Sequence, residues 1–453
     1  GGGATMDRHL FDFLASEVLD DMPLALHDFL LRCSVLPELT AARAAAVSGD
    51  ARAIERLDEI ERRGLFATAL EADERTLVLH DLFRDALQER LQRRWPAEVP
   101  ALLKRAALGE PDPVRRIGFL LRAQDWFAAE AALVEVAHDL LLRGGMLELQ
   151  RLIAQFDAAW RDASPRLLSL SGLAHRLRWQ WAPMLQDFEG AVQAARKRGD
   201  QVVLQEAQAY LAAVLYPMGR HAEAEALIAE LSVQPLAPHP RMLLLIGDCL
   251  QRLRRAEMAT VAPVYAELLD LLEAHGTLFH WWECVPAYSW STLPGMAREL
   301  DRYIDGALAR LGGRPLAMRG EVHVVRAFTR LWAGRVDEAV DQIAQAEADL
   351  KWLASSGDAT VGVGLFRAID AALRGLPELA EQRLQTLLAR EDGSPEERLL
   401  VWRHQMAVYG VRISHLSGAG VAVLRQWAAL LKDNPLGPDP ADAPLSPRVL
   451  AVR

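Results

Sequence analysis

His80 and Asp81 stand side by side after a short apolar run, Leu77-Val78-Leu79, and a helical pattern begins directly behind them. An imidazole in such a place can donate to an anionic oxygen such as that of a phosphate, more strongly when ionised. Asp81 is expected to serve as the N-cap of the helix that follows. The plainer reading is a polar residue that ends a strand, and a cap. A second group is aromatic: Phe279, Trp281, Trp282, Tyr288 and Trp290 fall close together, with Glu283 among them. Flat apolar faces with a polar edge suit stacking on a sugar or another ring, and Glu283 would supply an acceptor. Trp332, Phe366 and Trp402 come in later helical segments and could line the same groove. The competing reading is that large aromatics in a helical protein fill the seams between helices. Arg326, Arg330 and Arg367, on expected first helices of repeats, could bind carboxylates or phosphates, or be ordinary surface arginines.

No Ser-His-Asp arrangement, His-x-x-x-His pair, His-Glu-x-x-His motif or Gly-x-x-x-x-Gly-Lys-Ser/Thr phosphate loop is legible. The expectation is therefore a binding protein, neither an enzyme nor a metalloprotein, and one that does not itself hydrolyse ATP.

The elements that must position these residues follow from periodicity. Helical patterns lie near 7–21, 24–35, 40–47 and 51–63, followed by a strand candidate over 65–70, a charged turn over 71–75, the strand before His80 and a helix over 81–95. Helix, strand, turn, strand, helix is the order of a winged-helix unit. From Pro96 to about Lys432 good helix formers dominate and strand alternation is absent. A loose Gly-x-x-x-x-Ala repeat runs through this stretch: Gly219 to Ala224, Gly334 to Ala339 and Gly375 to Ala380, with Gln124 to Ala129 of the same shape but no glycine. Glycine lets the first helix of a pair end in a tight turn, and alanine one turn into the second lets the two approach closely. The fold class expected is mainly α: a small winged-helix domain over 7–95, then a TPR-like α-α helical-repeat superhelix over 96–432. Residues 1–6 read as a tag or linker, and 433–453 as a Pro-rich linker.

Composition narrows the function. The net charge is −10, and arginines alternate with acids as on a solvated helical face, so these residues alone are a poor match for nucleic acid. No run of 18 apolar residues suggests a membrane span, and the first residues lack the features of a secretion signal. The cysteines, Cys33, Cys249 and Cys284, are widely spaced, as expected of reduced thiols in a cytoplasmic protein.

The block over 7–95 resembles the winged-helix module of signal-transduction ATPases with numerous domains, and within them the MalT-like branch of large LuxR-family transcriptional activators. The resemblance rests on Phe11-Asp12-Phe13-Leu14-Ala15-Ser16-Glu17-Val18-Leu19, Phe29-Leu30-Leu31-Arg32-Cys33-Ser34-Val35-Leu36, Leu57-Asp58-Glu59-Ile60-Glu61-Arg62-Arg63-Gly64-Leu65-Phe66 and His80-Asp81-Leu82-Phe83, in the family's order and spacing. The helical stretch resembles the degenerate tetratricopeptide repeats of the sensor domain in that family. Leu445-Ser446-Pro447-Arg448 is similar to the start of a LuxR-type helix-turn-helix, although Val449 stands where the family prefers an acid.

The resemblance implies an effector-sensing portion of a larger regulator. It implies a small-molecule inducer, a sugar or an aromatic compound, held by the repeats, and ATP or ADP as cofactor of the full protein only. Self-association, and DNA binding through a C-terminal domain, would likewise belong to the full protein. It also implies that His80 contacts the β-phosphate of bound ADP and helps hold a resting state. The alternative is a helical-repeat scaffold that grips a regulatory protein or peptide.

Overall fold

The structure, a computed structural model, describes residues 19, 22–64, 67–70, 76–178, 180–215, 218, 220–255, 257–350, 358–388 and 401–418. The helix expected near 7–21 and the linker over 433–453 lie largely or wholly outside these residues. The chain divides into two compact units, 1–136 with 154–157, and 137–153 with 158–453.

The first unit contains the winged helix. Its elements are α1 (Leu24–Cys33), β1 (Leu39–Thr40), α2 (Ala41–Ser48), α3 (Ala53–Arg62), β2 (Ala67–Leu70), β3 (Thr76–Leu79) and α4 (Asp81–Arg94). The strand order is β1-β3-β2, antiparallel, with Leu39 opposite Leu77 and Thr68 opposite Val78. The short strand β1 has no signal in the sequence, because two residues cannot display a period. Leu57 and Ile60 of α3 and Phe83, Leu87 and Leu91 of α4 recur at helical spacing, and all are buried in the core.

The first unit also holds helices that follow the winged helix. It takes in α5 (Val99–Leu108), α6 (Pro113–Arg122) and the first turns of α7 (Trp126–Leu142). Buried Leu102, Leu103, Ala106 and Ala107 line this hairpin, and ion pairs join it to the winged helix. Arg32 Nε lies 3.1 Å from Glu98, and Arg43 and Arg115 both reach the buried carboxylate of Glu110.

The second unit continues through α8 (Met146–Ala154), α9 (Ala158–Ala163), α10 (Pro165–Leu177), α11 (Trp181–Arg198), α12 (Gln201–Leu215), α13 (His221–Ser232), α14 (Pro238–Arg254) and α15 (Val261–His275). Next come the short α16 (Leu278–Glu283), a 3-10 turn (Tyr288–Thr292), α17 (Met296–Leu311), α18 (Ala317–Trp332), α19 (Val336–Leu350), α20 (Asp358–Leu373), α21 (Pro377–Leu388) and α22 (Val401–Leu416). Successive helices pair as α10 with α11, α12 with α13, α14 with α15, α18 with α19 and α20 with α21.

The loose repeat has the structural meaning expected of it. Ala129, Ala224, Ala339 and Ala380 are all fully buried. Gly334 and Gly375 end α18 and α20 with φ of +75° and +71°. At the repeat position without glycine, Gln124 takes φ +54°, the one non-glycine with positive φ among the described residues. The fold imposes the left-handed turn there whether or not the residue suits it.

Two glycines test different constraints. Nothing lies near a methyl placed on Gly334, so Gly334→Ala should cost only the left-handed backbone strain, about 1 kcal/mol. A methyl on Gly306 would sit 2.5 Å from Cη2 of the fully buried Trp281, so Gly306→Ala should cost more, about 2–3 kcal/mol. Urea unfolding of both variants should return that order.

Candidate functional site

The structure disperses the residues that the sequence singles out. His80 is exposed and is itself the N-cap residue of α4. Asp81 is therefore the first helical residue, not the cap. Its carboxylate accepts from Arg84 at 2.7 Å, an exposed pair one turn along. The aromatic residues form core. Trp281 is fully buried, tilted against Tyr303 at 5.5 Å, and donates its indole N–H to the Leu272 carbonyl at 3.2 Å. Trp282 packs edge-on to Phe279, and Trp290 edge-on to Tyr265. Tyr288 stacks on Phe328 at 4.7 Å, and Phe366 meets the same ring edge-on. These rings fill seams and offer no open stacking face, so the expected aromatic cradle for a ligand is not formed by them.

Trp332 is different. It is 43% exposed, with the Arg412 guanidinium 5.9 Å from its ring centre. The Trp402 side chain lies outside the described residues. The three arginines are each engaged with an acid on another helix: Arg326 with Asp305, Arg330 with Asp301 and Glu338, and Arg367 with both oxygens of Glu347. In this structure they tie helices together.

What the structure does assemble surrounds Glu283, at the end of α16. Six residues are too few for a helix to persist alone. This one is held by groups that satisfy its free ends. Thr277 and His280 form a reciprocal capping box at its start. At its end, the Trp281 carbonyl accepts from Tyr303 Oη at 2.6 Å, the Glu283 carbonyl from Arg176 Nη2 at 3.2 Å, and the Cys284 carbonyl from Tyr265 Oη at 3.1 Å.

The Glu283 side chain is 3% exposed and carries three charge-assisted contacts. Oε1 accepts from Tyr210 Oη at 2.8 Å and from Arg176 Nη1 at 3.2 Å, and Oε2 lies 2.8 Å from His239 Nε2. His239 Nδ1 lies 3.1 Å from Glu206 Oε1, so one imidazole bridges two carboxylates. Arg176, Tyr210 with Glu206, and His239 come from α10, α12 and α14, the first helices of three successive pairs. The His280 ring stacks on His239 at 4.2 Å, and His138 stacks on Phe279 at 4.0 Å. Only Glu283 stood out in the sequence. Its partners are single polar residues on separate helices, with no local spacing to betray them.

The ionisation states follow from the contacts. Burial would lower His239, but hydrogen bonds to Glu206 and Glu283 and their charges hold it up at about 10. Burial would raise Glu283, but His239, by hydrogen bond and charge, then Arg176 and Tyr210 hold it at about 2. Burial and the His239 charge push His280 down to about 4, and burial lowers His138. The cluster thus holds one imidazolium beside two neutral imidazoles. Among the described residues, no group of three or more His, Cys, Asp or Glu could hold a metal ion.

These shifts set a pH profile. The raised His239 contributes stability that is complete below its ordinary 6.5 and is lost as pH rises toward about 10. The lowered His280 acts the other way, because the unfolded chain takes up the proton first; stability falls as pH drops from 6.5 toward about 4. Glu283 adds a loss from its ordinary 4.5 down to about 2. The unfolding midpoint should peak at roughly pH 6 to 7. His239→Gln should flatten the alkaline limb and His280→Asn the acid limb, as read by thermal unfolding across pH 3–10. Parallel profiles for all three proteins would refute this assignment.

Residues 15–99 match the family described as the MalT winged helix domain. The chain is 29% identical over 238 residues to the HTH-type transcriptional regulator MalT of Serratia proteamaculans, and 28% identical over 236 residues to that of Yersinia enterocolitica. Each alignment covers 51% of this chain and 26% of the relative, so the chain spans about a quarter of these curated relatives. Among solved structures it is similar to a Signal Transduction ATPase with Numerous Domains (STAND) protein with a tetratricopeptide repeat sensor from Pyrococcus horikoshii. The TM-score is 0.58 at 12% identity, over 93% of this chain and 65% of that one, a likeness of fold. The chain therefore carries a MalT winged helix domain and is related, over half its length, to the MalT transcriptional regulators.

Proposed function

We propose that this chain is the effector-sensing portion of a MalT-like transcriptional regulator, in which the helical repeats bind a small-molecule inducer. The observation that carries this reading is the Glu283 network. Its charged and polar groups come from three successive helix pairs and α16, and several have strongly shifted ionisation. Such clusters concentrate at functional sites, because a purely structural core gains little from them. Arg176, Glu206, His138 and His280 remain partly exposed around the buried carboxylate, so a ligand can reach the rim.

Inducer binding acts only through different affinities for two states. In the whole protein the favoured state would be the one that self-associates and brings DNA-binding domains together. ATP and ADP would be cofactors of that protein, not of this chain, which we take to have no enzymatic activity of its own. Exposed His80 would contact the nucleotide phosphate. In a longer protein that includes the nucleotide core, His80→Ala should loosen ADP and raise basal transcription; unchanged ADP affinity would count against that role. No described helix is long and apolar enough to cross a membrane.

A second reading, a scaffold for a protein partner, draws on one observation. Trp332, Leu373 and Leu416 each stand two residues ahead of a left-handed glycine and are 43%, 48% and 51% exposed. They mark the same position on three successive first helices.

Thermal unfolding against oligosaccharides, aromatic acids, amino acids and nucleotides separates the readings. A ligand at 100 times its Kd adds about 2.7 kcal/mol, which raises the midpoint by several degrees. A rise with one chemical class, with a change in tryptophan emission, is the expected result. A flat panel would shift the weight to a protein partner.

A further inference from the structure

Three donors converge on the Glu283 carboxylate, and all three belong to the repeat array: Arg176 on α10, Tyr210 on α12 and His239 on α14. The acceptor does not. Glu283 is supplied by α16, a six-residue helix that, with the 3-10 turn over Tyr288–Thr292, interrupts the alternation of long paired helices. The donors would remain a site without it. Glu206 holds His239 from the far side through Nδ1, which keeps the imidazole protonated and aimed. Counting Arg176 and His239 as cations and Glu206 as an anion, the donor set carries one net positive charge. One carboxylate neutralises it, and buried charges persist where such a balance is met. Tyr210 is fully buried, with Phe188 stacked on its ring at 5.0 Å, so its hydroxyl is fixed in direction.

We propose that Arg176, Tyr210 and His239 form a carboxylate-binding site, that Glu283 is its internal occupant in this conformation, and that the effector is a small carboxylic acid that takes its place.

This deepens, and rests on, the reading of the repeats as a small-molecule sensor. The consequence of exchange is built into the neighbouring packing. Arg176 also holds the Glu283 main-chain carbonyl, so the same guanidinium secures the side chain and the end of α16. Trp281, in the same short helix, closes over Gly306 of α17. Tyr288, in the 3-10 turn, stacks on Phe328 of α18. Releasing Glu283 therefore loosens a segment whose rings key into the next two helices. The replaced group and the ligand compete for one set of donors, which supplies the differential affinity that a switch requires.

The test is chemical rescue. Glu283→Ala removes a CH2–COO⁻ fragment, the size of acetate. The variant should unfold at a lower temperature than the wild type. Acetate at 10–100 mM should restore the midpoint saturably, while acetamide and chloride at matched ionic strength should not. Adding Arg176→Met should abolish the rescue. Equal effects of acetate, acetamide and chloride, or rescue that survives Arg176→Met, would overturn the site. If Glu283→Ala does not fold in plain buffer, the acetate-against-acetamide comparison is made on its soluble yield; dependence on acetate supports the site and equal failure with both overturns it.

The wild-type chain is then titrated with benzoate, succinate, their amides and neutral oligosaccharides, with tryptophan emission as readout. A response to acids but not to amides supports exchange. A response to neutral sugars alone overturns the carboxylate effector while leaving the sensor reading intact. No response to any probe overturns exchange, and with it the sensor reading if the broader panel is also flat.

Discussion

A carboxylate that leaves water must be repaid by donors at once, and Glu283 sets that condition for much of the second unit. Removing an ion of this size from water costs several kcal/mol after relaxation. Three side chains from three helix pairs meet the demand, at 2.8 Å, 2.8 Å and 3.2 Å. None of them can be placed by local structure. Each helix must pack at the right rotation and height for its single polar residue to arrive, so the network selects one register among the many that interchangeable Leu and Ala faces would allow. The buried alanines of the repeat let the helices come close; the ion network says where along one another they stop.

The irregular segment between α15 and α17 has the same logic in reverse. Short helices leave carbonyls without partners, and here Tyr303, Arg176 and Tyr265, from three separate helices, donate to them. The large rings of that segment then occupy volume that regular repeats would fill with a helix. Trp281 needs the absence of a side chain at Gly306, and Tyr288 crowds Gly362 in the same way. Aromatic bulk and missing side chains are matched pairwise at these two positions.

Much of this architecture is legible in the sequence. The winged helix shows itself through two apolar strands around a charged turn, and the repeats through glycine and alanine five residues apart. That spacing even identifies Gln124, whose backbone takes the glycine conformation without being glycine. The aromatic cluster is legible as a cluster but not as core, because composition does not tell which face of a tryptophan is covered. The pairing of Arg326, Arg330 and Arg367 is hidden for a related reason: their acidic partners are on other helices, and Asp305, Asp301 and Glu347 have no fixed sequence offset from them. His239 is hardest of all. It looks like one scattered histidine, and its importance exists only when Glu206 and Glu283 arrive from opposite sides.

The network also bears on why a helical-repeat protein would keep such a costly core. Replacing a buried ion pair by apolar groups of similar volume is often neutral or stabilising, so stability alone does not explain its retention. An apolar seam, however, has nothing to exchange. Its surfaces either touch or are wet, and a polar solute gains little by entering. A carboxylate held by an arginine, a tyrosine and an imidazolium is held by interactions that another carboxylate can reproduce atom for atom. Under the proposed exchange, the cost of building the donors is already met in this conformation, which leaves an incoming acid to contribute only the difference between its contacts and those of Glu283. A sensor whose two states lie close in free energy needs an arrangement of that kind, in which the resting contact and the bound contact share the same donors.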